Sequence, residues 1–143
     1  MNVQTKRLLL NVYRSSKMGM HTISTILNES PGNELKDEIM KLYEEYSKMA
    51  NVAEQHLTDC GVTPEDNGIL SKAALYGTFS VNRLNSPTLS KISEMMIGES
   101  VSSMSLVKTY LKDCVGANDE AKELAQHYIE AEETNIEKLK NYL

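Results

Sequence analysis

Three ionisable residues fall on the apolar arcs of their helical stretches, where a charge is costly and therefore informative. Glu132 lies near the centre of the last arc, level with Ala121 and Leu139. Lys17 sits inside the first arc between Tyr13 and Met20, and Glu99 stands at the edge of its stripe beside Ile92 and Ser103. All three fall about halfway along their helices, and Tyr46 is at the matching height on the second. A lone buried carboxylate must be paired or neutralised. The sequence therefore predicts a buried polar cluster of Lys17, Tyr46, Glu99 and Glu132, with the ammonium against Glu132 or Glu99. The plainer arrangement lets Lys17 reach solvent along its stem and leaves Glu132 on a wetter seam.

The histidines offer a second kind of chemistry. His56 shares a flank with Glu45 and Met49, His21 lies near Met18 and Met20, and His127 is one turn from both Glu123 and Glu130. Imidazole with carboxylate suits zinc or iron, and methionine with histidine suits copper(I). Each grouping supplies too few ligands alone, so the histidines are expected at the surface or boundary, with no metal and no cofactor. The two cysteines, Cys60 and Cys114, fall on core arcs without a clustered basic partner and read as reduced packing residues. The seven glycines are scattered, so no phosphate-cradling loop is written here. No Ser–His–Asp or Cys–His order is recognisable, and no catalytic residue is assigned.

The elements that must position these residues are punctuated by three prolines, each after a hydroxyl residue: Ser30-Pro31, Thr63-Pro64 and Ser86-Pro87. A hydroxyl N-cap with proline at the first helical position starts a helix. Gly116-Ala117-Asn118 adds a stop followed by a cap. Helices are predicted over 2–28, 32–60, 64–84, 87–115 and 118–142, with no stretch of period-two alternation. The second helix gathers Leu35, Ile39, Leu42, Tyr46, Met49, Ala50, Ala53 and Leu57 on one arc; the fourth carries Ile92, Met96, Ser100 and Val107, and the last Leu124, Ala125, Tyr128 and Leu143. Four amphipathic stretches of about seven turns describe an all-α four-helix bundle. Residues 61–87 are too long for a simple helix–helix turn. A helix there of ~18–20 residues travels ~27–30 Å, enough to return the chain to its starting end. The expected topology is up-down-down-up with an additional crossover helix.

Length and charge bound the rest. At 143 residues the chain fits a single domain over 1–143, and 41% hydrophobic residues suffice for one core. A net charge of −5 argues against broad nucleic-acid binding. No apolar run reaches the ~18 residues of a membrane span and no signal-peptide region opens the chain, so a cytoplasmic location is expected.

Asn33-Glu34-Leu35-Lys36, Gly61-Val62-Thr63-Pro64, Ser93-Glu94-Met95-Met96-Ile97-Gly98-Glu99 and Glu132-Glu133-Thr134-Asn135-Ile136-Glu137-Lys138-Leu139 carry a resemblance. Through them the chain resembles the ferritin-like superfamily, most of all its bacterial four-helix-bundle proteins related to spore-coat-type proteins, over nearly its whole length. Di-iron members place a Glu on each of two helices and Glu-x-x-His on the other two. Here residues 2–28 contain no Asp or Glu, and Met18, Ala53 and Leu124 stand three before His21, His56 and His127. The resemblance thus implies the fold without the standard di-iron ligand set. It places the Lys17 ammonium where a metal cation would sit. The alternative is a metal-binding or redox relative with an unusual ligand set.

Two outer faces are bare of charge: Leu8, Ser15, Gly19, Thr22 and Ile26 on the first helix, and Met95, Gly98, Ser102, Ser105 and Leu106 on the fourth. Apolar on both sides, such helices are normally covered twice. The crossover helix is expected over one face and a second subunit over the other. The first helix carries Lys6, Arg7, Arg14 and Lys17 without an acid, while residues 118–143 are acidic. The sequence reads as a non-catalytic structural or protein-interaction module, a homodimer with a possible protein partner. A site for a small apolar ligand between the core and the crossover helix is a further possibility.

Overall fold

The computed structural model describes residues 1–28, 33–65 and 88–143. Among them stand four α-helices, α1 (Val3–Asn28), α2 (Asn33–Asp59), α3 (Leu89–Asp113) and α4 (Asp119–Leu139), then a 3-10 turn at Lys140–Tyr142, and no strand. The all-α class holds, and each helix end falls within about three residues of its expected place. The crossover helix expected over 64–84 lies outside the described residues, except for Pro64 and Glu65, which carry no helix. The Ser30-Pro31 and Ser86-Pro87 caps lie outside them too.

Local chemistry accounts for the ends. The cap of α3 is Thr88, whose hydroxyl accepts from the Lys91 amide at 3.1 Å. The Asn118 side chain accepts from the Ala121 amide at 2.9 Å, and Asp119 and Glu120 sit at the positive end of the α4 dipole. After α2 the chain turns at Gly61, whose φ of 77° favours glycine, and the Val62 amide closes back on the Leu57 carbonyl at 2.9 Å.

Packing follows the stripes, most closely in α2, whose eight predicted core residues are all buried. The buried arc of α1 is wider than expected. Leu8, Ser15, Thr22 and Ile26, assigned to an outer face, are buried along with Leu9 and Tyr13. The reason is that α1 touches α2, α3 and α4, so it is enclosed on three sides. Helix α2 packs on α1 and α4, and α3 packs on α4. Two further expectations fail at element ends. Leu143 is 62% exposed because α4 has already given way to the 3-10 turn. Cys60 is exposed because it follows the end of α2, whereas Cys114 is buried.

A clasp joins the start of α1 to the α3–α4 turn. The Asn2 amide donates to the Gly116 carbonyl at 2.8 Å, the Gly116 amide donates to Gln4 Oε1 at 2.5 Å, and the Asn118 amide donates to the Thr5 hydroxyl at 2.8 Å. Arg7 adds its guanidinium over the Tyr110 ring, 5.6 Å from the centroid. No described helix is long and apolar enough to cross a membrane.

Candidate functional site

Glu132 is fully buried, so the wetter seam is not its environment. Its carboxylate is met from two helices. The Tyr46 hydroxyl of α2 donates to Oε1 at 2.5 Å, and Asn135 of α4 donates to the same oxygen at 3.4 Å. The Tyr128 hydroxyl, one turn before Glu132, reaches Oε2 at 3.5 Å and also bonds Ser103 of α3. Ser100 of α3 lies beside Tyr46 and Glu132, and Ser15 of α1 beside Tyr128, close enough to favour their charged forms. The tyrosine rings stand 6.2 Å apart, tilted by 31°. All four helices bring a hydroxyl or carboxyl to one buried cluster.

Burial raises the Glu132 carboxyl to about 7, against the Tyr46, Asn135, Tyr128 and Ser100 hydrogen bonds that favour its charged form. Desolvation wins. Burial, reinforced by the neighbouring carboxylate, pushes both tyrosines well above their ordinary range, so they stay protonated donors. The network therefore passes between two proton states near neutral pH. With Glu132 ionised, the Tyr46 and Tyr128 hydroxyls both donate to it.

The four residues predicted to cluster are divided by the structure. Tyr46 and Glu132 meet directly. Glu99 is partly buried beside Thr22 of α1 and is raised by burial above the ordinary carboxylate range. Lys17 is half-buried and holds its Nζ 5.9 Å from the centroid of the Tyr13 ring. Sequence reasoning missed Tyr128, Ser100, Ser103 and Ser15 as members of the network. The available signal was the four-residue spacing of Tyr128 and Glu132, which puts both on one face of α4.

Above the network a cleft of about 1070 Å³ opens between α1 and α3. Tyr46, Tyr128 and Glu132 line it, with Ser15, Gly19 and Thr22 on the α1 side and Met95, Gly98 and Ser102 on the α3 side. The two charge-poor stripes, expected to seek separate covers, thus border one cavity. At Gly19 the missing side chain is what admits the Tyr46 ring: a Cβ there would stand 2.6 Å from a ring carbon.

The histidines lie at the surface or boundary, as expected: His21 and His56 are half-buried and His127 is exposed. His127 Nε2 lies 2.6 Å from Glu45 Oε1, across the α2–α4 seam. Among the described residues no three His, Cys, Asp or Glu side chains gather as a metal site. Comparison with protein-family models, with curated proteins and with solved structures returns no match.

Proposed function

We propose that this chain is a ferritin-like, up-down-down-up four-helix bundle with a crossover helix over about 64–84, of bacterial type and cytoplasmic. In this reading it works without catalysis, as a structural or protein-interaction module that pairs with a second copy. The observation that carries it is the engagement of Glu132. Both oxygens of this inward carboxylate already receive protein donors from Tyr46, Tyr128 and Asn135, at the level where a di-iron relative would turn it to metal.

The helix order is supported by side-chain register. The clasp brings the start of α1 to the end of α3 and the start of α4. The middle of α2 meets the middle of α4 through Tyr46–Glu132 and Glu45–His127. With α2 and α3 descending together, their connection must climb the bundle, which favours the crossover. Pairing with a second copy is supported by Val101 and Leu106, 44% and 48% exposed on α3.

Metal binding with an unusual ligand set is the second reading, favoured by the Glu45–His127 pair on facing helices. One preparation separates the two. Untagged protein from cells grown with iron, zinc, manganese and copper is expected to hold far less than one metal per chain, and native mass spectrometry is expected to weigh a dimer. Near-stoichiometric metal that disappears in His127→Ala or Glu132→Ala would overturn the first reading, and a monomer at every concentration would remove the pairing.

A further inference from the structure

We infer that the cleft between α1 and α3 is a binding site for a linear aliphatic polyamine, a chain of methylenes carrying N–H groups along its length. This stands apart from the reading above, since a structural bundle needs no ligand in this cleft.

The polar groups that open into the cleft fall in a row. Asn11, Ser15, Gly19 and Thr22 follow one another on successive turns of α1, and Asn11 to Thr22 covers about 16 Å at 1.5 Å per residue. At the far end Thr22 lies beside Glu99. In the middle Ser15 lies beside Tyr128, and Gly19 abuts the Tyr46 ring that holds Glu132. At the near end Asn11 is only 7% exposed, and its Oδ1 has no hydrogen-bond partner among the described residues. A buried acceptor without a donor is costly and rare in native proteins. An amide oxygen takes an N–H or O–H, which excludes a purely hydrocarbon guest.

Charge narrows the class further. Among the described residues Glu65, Glu99 and Glu132 border the cleft against the guanidinium of Arg14. An anionic ligand would add to that imbalance, and a cationic one relieves it. Between the polar stations Met18, Met95, Met96 and Leu106 present flexible apolar surface, which suits methylene spacers and tolerates variation in their length. The volume of about 1070 Å³ lies just above the ~300–1,000 Å³ of small-molecule sites. A ligand of alternating ammonium and methylene segments spans from Asn11 at one end to Glu99 at the other along one line, passing over the Tyr46–Glu132 pair.

Calorimetric titration with spermine at physiological salt tests this, with decanediol and sebacate as uncharged and anionic counterparts. Saturable binding of one spermine per chain is expected, with no saturable binding of sebacate. Asn11→Leu and Glu99→Gln are each expected to weaken spermine at least tenfold while melting as cooperatively as the parent. Because spermine also gathers loosely on acidic proteins, Glu133→Gln and Glu137→Gln, exposed and away from the cleft, serve as the control and are expected to leave its affinity unchanged. Absence of saturable binding overturns the inference. So does equal affinity for sebacate, or a loss in the control variants as large as that in Glu99→Gln.

Discussion

Glu132→Gln is expected to stabilise the protein at pH 8 and to change it little at pH 5. The wild-type carboxyl has an ordinary value near 4.5 in the unfolded chain and about 7 in the folded one. The folded state therefore holds this proton more tightly. Stability from that difference is fully present below about 4.5 and is lost as the pH rises through about 7. At ~1.4 kcal/mol per unit, the loss between pH 5 and pH 8 is on the order of 2–3 kcal/mol. Glutamine cannot ionise, yet its amide keeps an acceptor for Tyr46 and gains donors for the neighbouring hydroxyls. In thermal melts the variant should stand roughly 5–10 °C above the wild type at pH 8. Glu99 shifts in the same direction and remains, so some slope persists in the variant. Parallel loss of stability with pH in the two proteins would show that Glu132 does not titrate in the folded state as its burial dictates.

Gly19→Ala should be destabilising although alanine is the better helix former. A Cβ at this position would stand 2.6, 2.7 and 2.8 Å from three carbons of the Tyr46 ring. The ring cannot swing aside cheaply, because it is 5% exposed and tied at its hydroxyl to Glu132. Helix propensity returns at most ~1 kcal/mol. Overpacking costs ~1–3 kcal/mol, and a buried carboxylate that loses its best donor adds ~1–3 kcal/mol. A net loss of about 2–4 kcal/mol follows, read in urea denaturation at pH 7. Gly98→Ala provides the contrast: among the described residues nothing lies within 4 Å of a Cβ there, so the same exchange should be neutral or mildly stabilising. Equal behaviour of the two alanine variants would refute the close approach.

Helix α2 was readable because it packs on a single broad face, and a 3.6-residue period registers one face well. The period fails for α1, where Leu8, Ser15, Thr22 and Ile26 are buried by neighbours on further sides. No single-helix pattern says how many neighbours a helix will have. Glu132 was legible as a carboxylate in the middle of an apolar arc. Tyr46 was legible too, at the matching height on the second helix, but the other neighbours were not, since residues 15, 100, 103 and 128 come together only through the packing of four helices. Lys17 is placed by arc and height, neither of which says where its long side chain leans. Side chains on a helix lean toward its N-terminus, and Lys17 accordingly lies over Tyr13, one turn back. The His127–Glu45 pair was hidden for the same reason as the network, because helix spacing relates His127 only to carboxylates on its own helix.

The clasp between the first turn of α1 and Gly116–Asn118 has a kinetic side. Its three hydrogen bonds join groups 112 to 114 positions apart along the polypeptide. Closing so large a ring sacrifices freedom that no neighbouring contact restores until both halves have assembled. On a ribosome the sides of α1 that meet α3 and α4 therefore wait for the α3–α4 corner to emerge, whereas α2 can pack on it earlier. In pulse-labelling during refolding, the amides of Gly116 and Asn118 should gain protection after those in the middle of α2; early protection there would reverse this order.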